Sequence, residues 1–195
     1  MIPLTRSAAT APSPFTPEQQ SRFDAELEKA VAKYPPERSR SALLPALHLA
    51  QDLLGWLPES AMAYVGARLG VAPARVREVA TFYTMYKLKP VGRHHIEICN
   101  SVSCWAAGSE AVLKHAEEKL GIRPGEITQD GHFSIGETTC LAGCGYAPAS
   151  VINNYRYCEF LTPERFDRLI DELKNDPGNQ MAQFTANQDT GRAHG

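Results

Sequence analysis

The chain has 195 residues, 43% of them hydrophobic, with 20 Lys and Arg against 22 Asp and Glu. That length suits one large domain or two small ones, and the apolar share is enough for a packed core. A formal net charge of −2 excludes nucleic-acid binding that depends on broad positive charge.

No apolar run approaches the length of a membrane span. No basic segment followed by an apolar stretch opens the chain, so no secretory signal is expected. The sequence reads as a soluble, intracellular protein. Five cysteines in a reducing compartment do not form a disulfide framework. Four of them stand in two close pairs, and Cys158 is alone.

Residues 1–15, rich in Ala, Ser, Thr and Pro, read as a flexible tail. Thr16, Pro17 and Gln19 then make a capping-box start with proline at the first helical position. Phe23, Leu27, Val31 and Tyr34 follow at helical spacing, and Pro35–Pro36 stops the helix. Ser41–Leu54 (SALLPALHLAQDLL) is a second, apolar helix. Pro58 opens a third, which Gly70 closes. Pro73 opens a fourth that carries Val76, Val79, Ala80, Tyr83 and Tyr86. These elements make a helical bundle with short loops over residues 16–88.

Lys87–Gly92 marks a change of character and a domain boundary. Arg93–Cys99 (RHHIEIC) alternates as a strand. Ser109–Leu120 is helical, with Gly121 as its stop. Phe133–Thr138 is a strand. Ala149–Ile152 and Tyr155–Phe160 make a hairpin about Asn153–Asn154. Thr162–Pro163 caps a last helix bearing Phe166, Leu169, Ile170 and Leu173. The order β-α-β-β-β-α predicts a small α/β sandwich over residues 89–174, with its helices packed on the sheet. Residues 175–195 are polar and read as a second tail.

The cysteine pattern is C-x4-C (Cys99, Cys104), then 35 residues, then C-x3-C (Cys140, Cys144). Each pair follows a predicted strand, so all four thiols are expected in loops at one end of one sheet. Four thiolates can hold a [2Fe–2S] cluster, two on each iron. They can equally hold a tetrahedral Zn²⁺, and the spacing leaves both open. Such a cluster is negatively charged and needs hydrogen bonds to its sulfurs. Ser101 and Ser103 in the first pair, and Ala142, Gly143 and Gly145 around the second, let backbone N–H groups approach, while Pro148 stiffens the exit. Cys158 reads as a structural strand residue. His94 and His95 read as strand or surface residues, because four cysteines leave no need for a Rieske-type set. Residues 58–86 also have the outline of a helix-turn-helix with Arg75 and Arg77 as contacts, but two basic residues are few for DNA. No Ser/His/Asp set or Gly-rich phosphate loop is apparent.

Several segments together resemble one family. They are Tyr34–Pro36 with Ser41–Gln51, Gly70–Tyr86 (GVAPARVREVATFYTMY), Cys99 through Cys104, Cys140–Pro148 (CLAGCGYAP) and Leu161–Glu164 (LTPE). In this order, across residues 15–173, they resemble the thioredoxin-like [2Fe–2S] ferredoxin subunits of NADH:quinone oxidoreductase (respiratory complex I), the E subunits of the bacterial enzymes. The resemblance implies an α+β chain with an N-terminal helical bundle followed by a thioredoxin-like [2Fe–2S] ferredoxin domain. It implies one cluster on Cys99, Cys104, Cys140 and Cys144 and no catalytic residue in this chain. It also implies an NADH- and FMN-binding flavoprotein partner among other peripheral-arm subunits, with the cluster beside that flavin. Nucleic acid and direct membrane insertion are not expected, and the place would be the cytoplasmic face of the inner membrane within a membrane-bound complex. The same module occurs in NAD-dependent formate dehydrogenases and NAD-reducing hydrogenases.

Overall fold

The computed structural model describes residues 12–176, and they form two compact units divided between Pro90 and Val91. The greater part of each expected tail, 1–11 and 177–195, lies outside the described residues.

The first unit is helical. Helix α1 (Pro17–Ala32) begins on the capping box: the Thr16 hydroxyl accepts from Gln19 N–H, and the Gln19 side chain accepts from Thr16 N–H. This satisfies two donors that a helix start otherwise leaves open. Phe15, read from the sequence with the tail, is 8% exposed and stacks on Phe23 at 4.9 Å. An apolar ring one residue before the cap has more to gain from burial than from chain freedom. The second helix starts later than the sequence indicates. Pro36–Ala42 winds as a 3-10 run with a kink at Arg38, and α2 covers Leu43–Leu54. α3 (Glu59–Leu69) and α4 (Pro73–Phe82) complete the bundle. α2 and α3 each end on a left-handed glycine, Gly55 and Gly70, where any side chain would be strained.

α4 was expected to carry on through Tyr86, but it ends at Phe82. Tyr86 is nevertheless buried, and its hydroxyl donates to the Leu44 carbonyl at 2.9 Å. The buried Gln51 side chain holds the segment that follows, donating to Met85 O at 3.0 Å and accepting from Lys87 N–H at 2.6 Å. Tertiary hydrogen bonds to the backbone here replace the helical ladder.

The second unit carries a four-stranded sheet in the order β2-β1-β3-β4. β1 (His94–Cys99) runs parallel to β2 (Phe133–Thr138). β3 (Ser150–Ile152) is antiparallel to β1 and to β4 (Arg156–Cys158). Between β1 and β2 lie a short helix α5 (Val102–Ala106) and α6 (Ser109–Leu120); α7 (Pro163–Lys174) closes the unit. The hairpin turns through Asn153, Asn154 and Tyr155 between the paired Ile152 and Arg156, with Asn153 and Asn154 both left-handed at φ 51° and 65°, a conformation asparagine tolerates. Asn153 locks this turn to β1, accepting from His95 N–H at 2.8 Å and donating to Arg93 O at 3.0 Å.

Successive side chains on β1 point to opposite faces. Ile96 and Ile98 join Ile135, Val112, Phe166 and Ile170 in one core between the sheet and helices α6 and α7. His95, Glu97 and Cys99 share the other face. His94 and His95, expected as strand or surface residues, are strand residues but buried at 2% and 8% exposure. His95 Nδ1 shares a 2.8 Å hydrogen bond with Ser134 Oγ, which is how a buried polar ring is tolerated. Cys158 lies half-buried on β4 against the core.

Candidate metal centre

Parallel strands emerge at the same end of a sheet, and here that end gathers the cysteines. Cys99 is the last residue of β1 and stands opposite Thr138, the last of β2; Cys140 comes two residues later. Two backbone bonds fix this end: Cys99 N–H to Ala149 O at 3.0 Å and Asn100 N–H to Thr138 O at 2.9 Å. Cys104 comes in on α5, an element too short to show a period in the sequence, so the first pair spans a helix rather than an open loop. Cys144 opens a 3-10 turn, Cys144–Tyr146. All five cysteines are free.

The two pairs differ in exposure. Cys99 and Cys104 are 3% and 2% exposed and pack with Ala149, Leu141 and Ala147. Cys140 and Cys144 are exposed. Burial pushes up the Cys104 thiol, and Cys99 and Cys144 lie close enough to push it in the same direction by charge. A site of this kind must therefore supply positive charge before its thiols ionise together. The second loop is built for close approach. Ala142 takes φ 57°, and its N–H donates to Cys140 Sγ at 3.3 Å. A β-carbon on Gly143 would meet that of Ala149 at 3.3 Å. The Ala147–Pro148 peptide is cis. Among the described residues no three His, Cys, Asp or Glu side chains gather closely enough to share one ion; a two-iron core divides its four ligands between two metals.

The model of the thioredoxin-like [2Fe–2S] ferredoxin family matches residues 27–174. The chain belongs to that family. Among its relatives, the E subunit of the NADH-quinone oxidoreductase of Rickettsia bellii is 49% identical over 150 residues, covering 76% of this chain and 89% of the relative. The corresponding protein of Thermus thermophilus, subunit 2 of its NADH-quinone oxidoreductase, is 38% identical over 148 residues, 76% of this chain and 82% of that one. Among solved structures, an NAD⁺-reducing [NiFe]-hydrogenase in the H₂-reduced state superposes with a TM-score of 0.60 at 30% identity, over 69% of this chain and 22% of the hydrogenase chain.

As a thioredoxin-like [2Fe–2S] ferredoxin the chain carries one [2Fe–2S] cluster, and the residues present fit it. The sheet end offers four thiols in two pairs, a backbone N–H already aimed at one sulfur, and small residues where bulk would intrude. Other residues singled out in the sequence lie elsewhere. Cys158 is on β4, and its thiol is pushed up by burial. Arg75 and Arg77 on α4 pair with Glu78 and Glu59.

Spacing alone did not reveal the apolar rim of the ferredoxin's cysteine loops: Val102 is 75% exposed, Trp105 61%, Tyr146 52% and Phe160 48%. Their signal was position. All four sit beside the cysteine loops in the chain or pack against residues that do, with Tyr146 and Phe160 in edge contact at 5.8 Å. Exposed apolar groups gathered in one place mark contact surfaces.

Proposed function

We propose that Cys99, Cys104, Cys140 and Cys144 are the ligands of the cluster, and that the chain is the electron-transfer subunit of an NADH:quinone oxidoreductase. The observation that carries the ligand assignment is the convergence of both pairs on one end of the β1–β2 ladder. The names of the relatives, subunits of NADH-quinone oxidoreductase, support the host complex.

When bound, the cluster supplies a one-electron couple. This chain's residues hold it and set its surroundings. Cys99 and Cys104 would hold the buried side, where Ala149, Leu141 and Ala147 keep water away. Cys140 and Cys144 would hold the open side. The Ala142 N–H would favour the more negative state by donating to Cys140 sulfur. Hydride chemistry belongs to a partner that binds NADH and FMN, and no NADH site is assigned to this chain. Among the described residues no helix is long and apolar enough to cross a membrane. Attachment to the cytoplasmic face of the inner membrane would therefore come through other subunits.

A second reading has its own observation. The superposition on an NAD⁺-reducing hydrogenase suits the equivalent module of a soluble NAD-linked complex. Native co-purification separates the two: membrane-arm subunits support the respiratory complex, and a nickel or molybdenum subunit overturns it. For the ligands, Cys140→Ala is expected to abolish the EPR signal of the dithionite-reduced protein, while Cys158→Ala keeps it. An unchanged spectrum in Cys140→Ala refutes the assignment.

A further inference from the structure

A cleft of about 350 Å³ opens beside Cys99, between the start of α6 and the ends of β1 and β2. Its wall is Trp105, a residue 61% exposed. Ile98 and Leu113 give it apolar surface, and Glu110 and Glu137 give it two carboxylates. Ser109 also lines it. That residue is 3% exposed.

Helix geometry accounts for part of this. Glu110 stands in the first turn of α6, where a carboxylate suits the helix dipole. Glu137 accepts from Asn100 Nδ2 at 2.8 Å. Neither fact explains why a tryptophan stands mostly in water next to both.

One chemistry satisfies every wall at once. It needs an apolar stem for Ile98 and Leu113, a flat cation for the Trp105 face, and several N–H donors for two carboxylates. An arginine side chain has all of these: three methylenes, a planar guanidinium that stacks on aromatic rings, and five donors in a fork. A lysine offers a point charge without the plane. The cleft is at the small end for ligand sites and wide enough for one long side chain.

We propose that this cleft receives an arginine of the flavin-bearing partner subunit, and so seats the cysteine end of this chain against it. The proposal rests on the function assigned above. Trp105 and the two carboxylates are docking residues. Charge complementarity selects the occupant, and the exposed apolar rim around the same loops gives the contact its area.

The test is a titration of the full, cluster-loaded chain against the flavin-bearing subunit, at about 50 mM and about 300 mM salt, since exposed ion pairs are screened over that range. Trp105→Ala is expected to weaken binding by about tenfold or more. Glu110→Gln with Glu137→Gln is expected to weaken it by about tenfold at low salt and to flatten the salt dependence. Glu118→Gln, an exposed charge two turns further along α6, is expected to bind like the parent. Unchanged visible absorption shows that each variant keeps its cluster. Should Trp105→Ala lose the cluster, the exposed Glu110→Lys reads the same cleft by charge reversal and is expected to abolish binding. Binding within twofold of the parent in the charge variants, with the parent complex intact, overturns the arginine cleft alone. A parent chain that binds no flavin-bearing subunit at either salt overturns the functional reading and the cleft with it.

Discussion

Gly92 sits where the chain enters β1, and replacing it with alanine tests whether the β1–β2 ladder positions the cysteines. A β-carbon there would lie 2.4 Å from the Phe133 carbonyl carbon, 2.7 Å from Ser134 N and 2.8 Å from Phe133 O. All three are backbone atoms of the partner strand, so no side chain can swing away. The strands must part, and the bonds at that end go with them: Gly92 N–H to Ser134 Oγ at 2.9 Å, Arg93 N–H to Gly131 O at 3.0 Å and His94 N–H to His132 O at 2.8 Å. At about 1 kcal/mol net for each bond, and about 1 kcal/mol or more for overpacking, Gly92→Ala should cost about 4 kcal/mol. Urea unfolding followed by Trp105 fluorescence in a Trp56→Phe background reads the second unit. With a slope of about 1–3 kcal/mol per molar, the midpoint should fall by roughly 1.3–4 M. Gly121→Ala is the reference. Its φ of 67° is strained for alanine, but nothing lies within 4 Å of the added carbon, so it should cost only about 1 kcal/mol. If Gly92→Ala costs no more than Gly121→Ala, the ladder is not fixed as described.

Burial holds the His94 imidazole below its usual value, against smaller upward pulls from Asp176 and with smaller downward ones from Arg93 and His132. The folded state thus binds that proton less readily than the unfolded chain. Its contribution is full above about pH 6.5 and is lost as the pH falls below that. The urea midpoint should drop between about pH 7.5 and about pH 5.5, and less so in His94→Gln. Glu172, paired twice with Arg156 at 2.9 Å, is held low by that partner. The benefit is present above the usual carboxylate range and is lost as the pH falls through the depressed value, so Arg156→Met should flatten stability near pH 4 by a small, salt-sensitive amount. Thr162→Ala removes the oxygen that accepts from Arg165 N–H at the start of α7 and should cost about 1 kcal/mol, read as a lower urea midpoint.

Local chemistry made much of this fold readable. The Thr16–Gln19 box, the glycine after α3, the Asn153–Asn154 turn and the Thr162–Pro163 cap each carry their own reason to be where they are, and each element starts or stops there. What could not be read depends on distant partners. The spacing of Val76, Val79, Ala80, Tyr83 and Tyr86 runs on without a break, and it is the bonds from Gln51 and Leu44, more than thirty residues earlier in the chain, that hold residues 85–87 outside the helix. α5 is five residues long, too short for a helical repeat to show in the sequence. His94 and His95 alternate correctly on β1, but their burial depends on what covers each face. At the site, the cysteine pairs announced a metal and left its identity open between iron–sulfur and zinc. The split into a buried and an exposed pair was illegible, because it follows from how α5 and the 3-10 turn fold over the sheet end.

The most direct test is metal and sulfide analysis of the full chain purified without oxygen, with EPR after dithionite reduction. The expected result is a reddish-brown protein with about two irons and about two labile sulfides per chain, and an EPR signal that Cys140→Ala abolishes and Cys158→Ala retains. A colourless protein holding one zinc per chain and no labile sulfide, as a tetrahedral Cys₄ site would give, contradicts it.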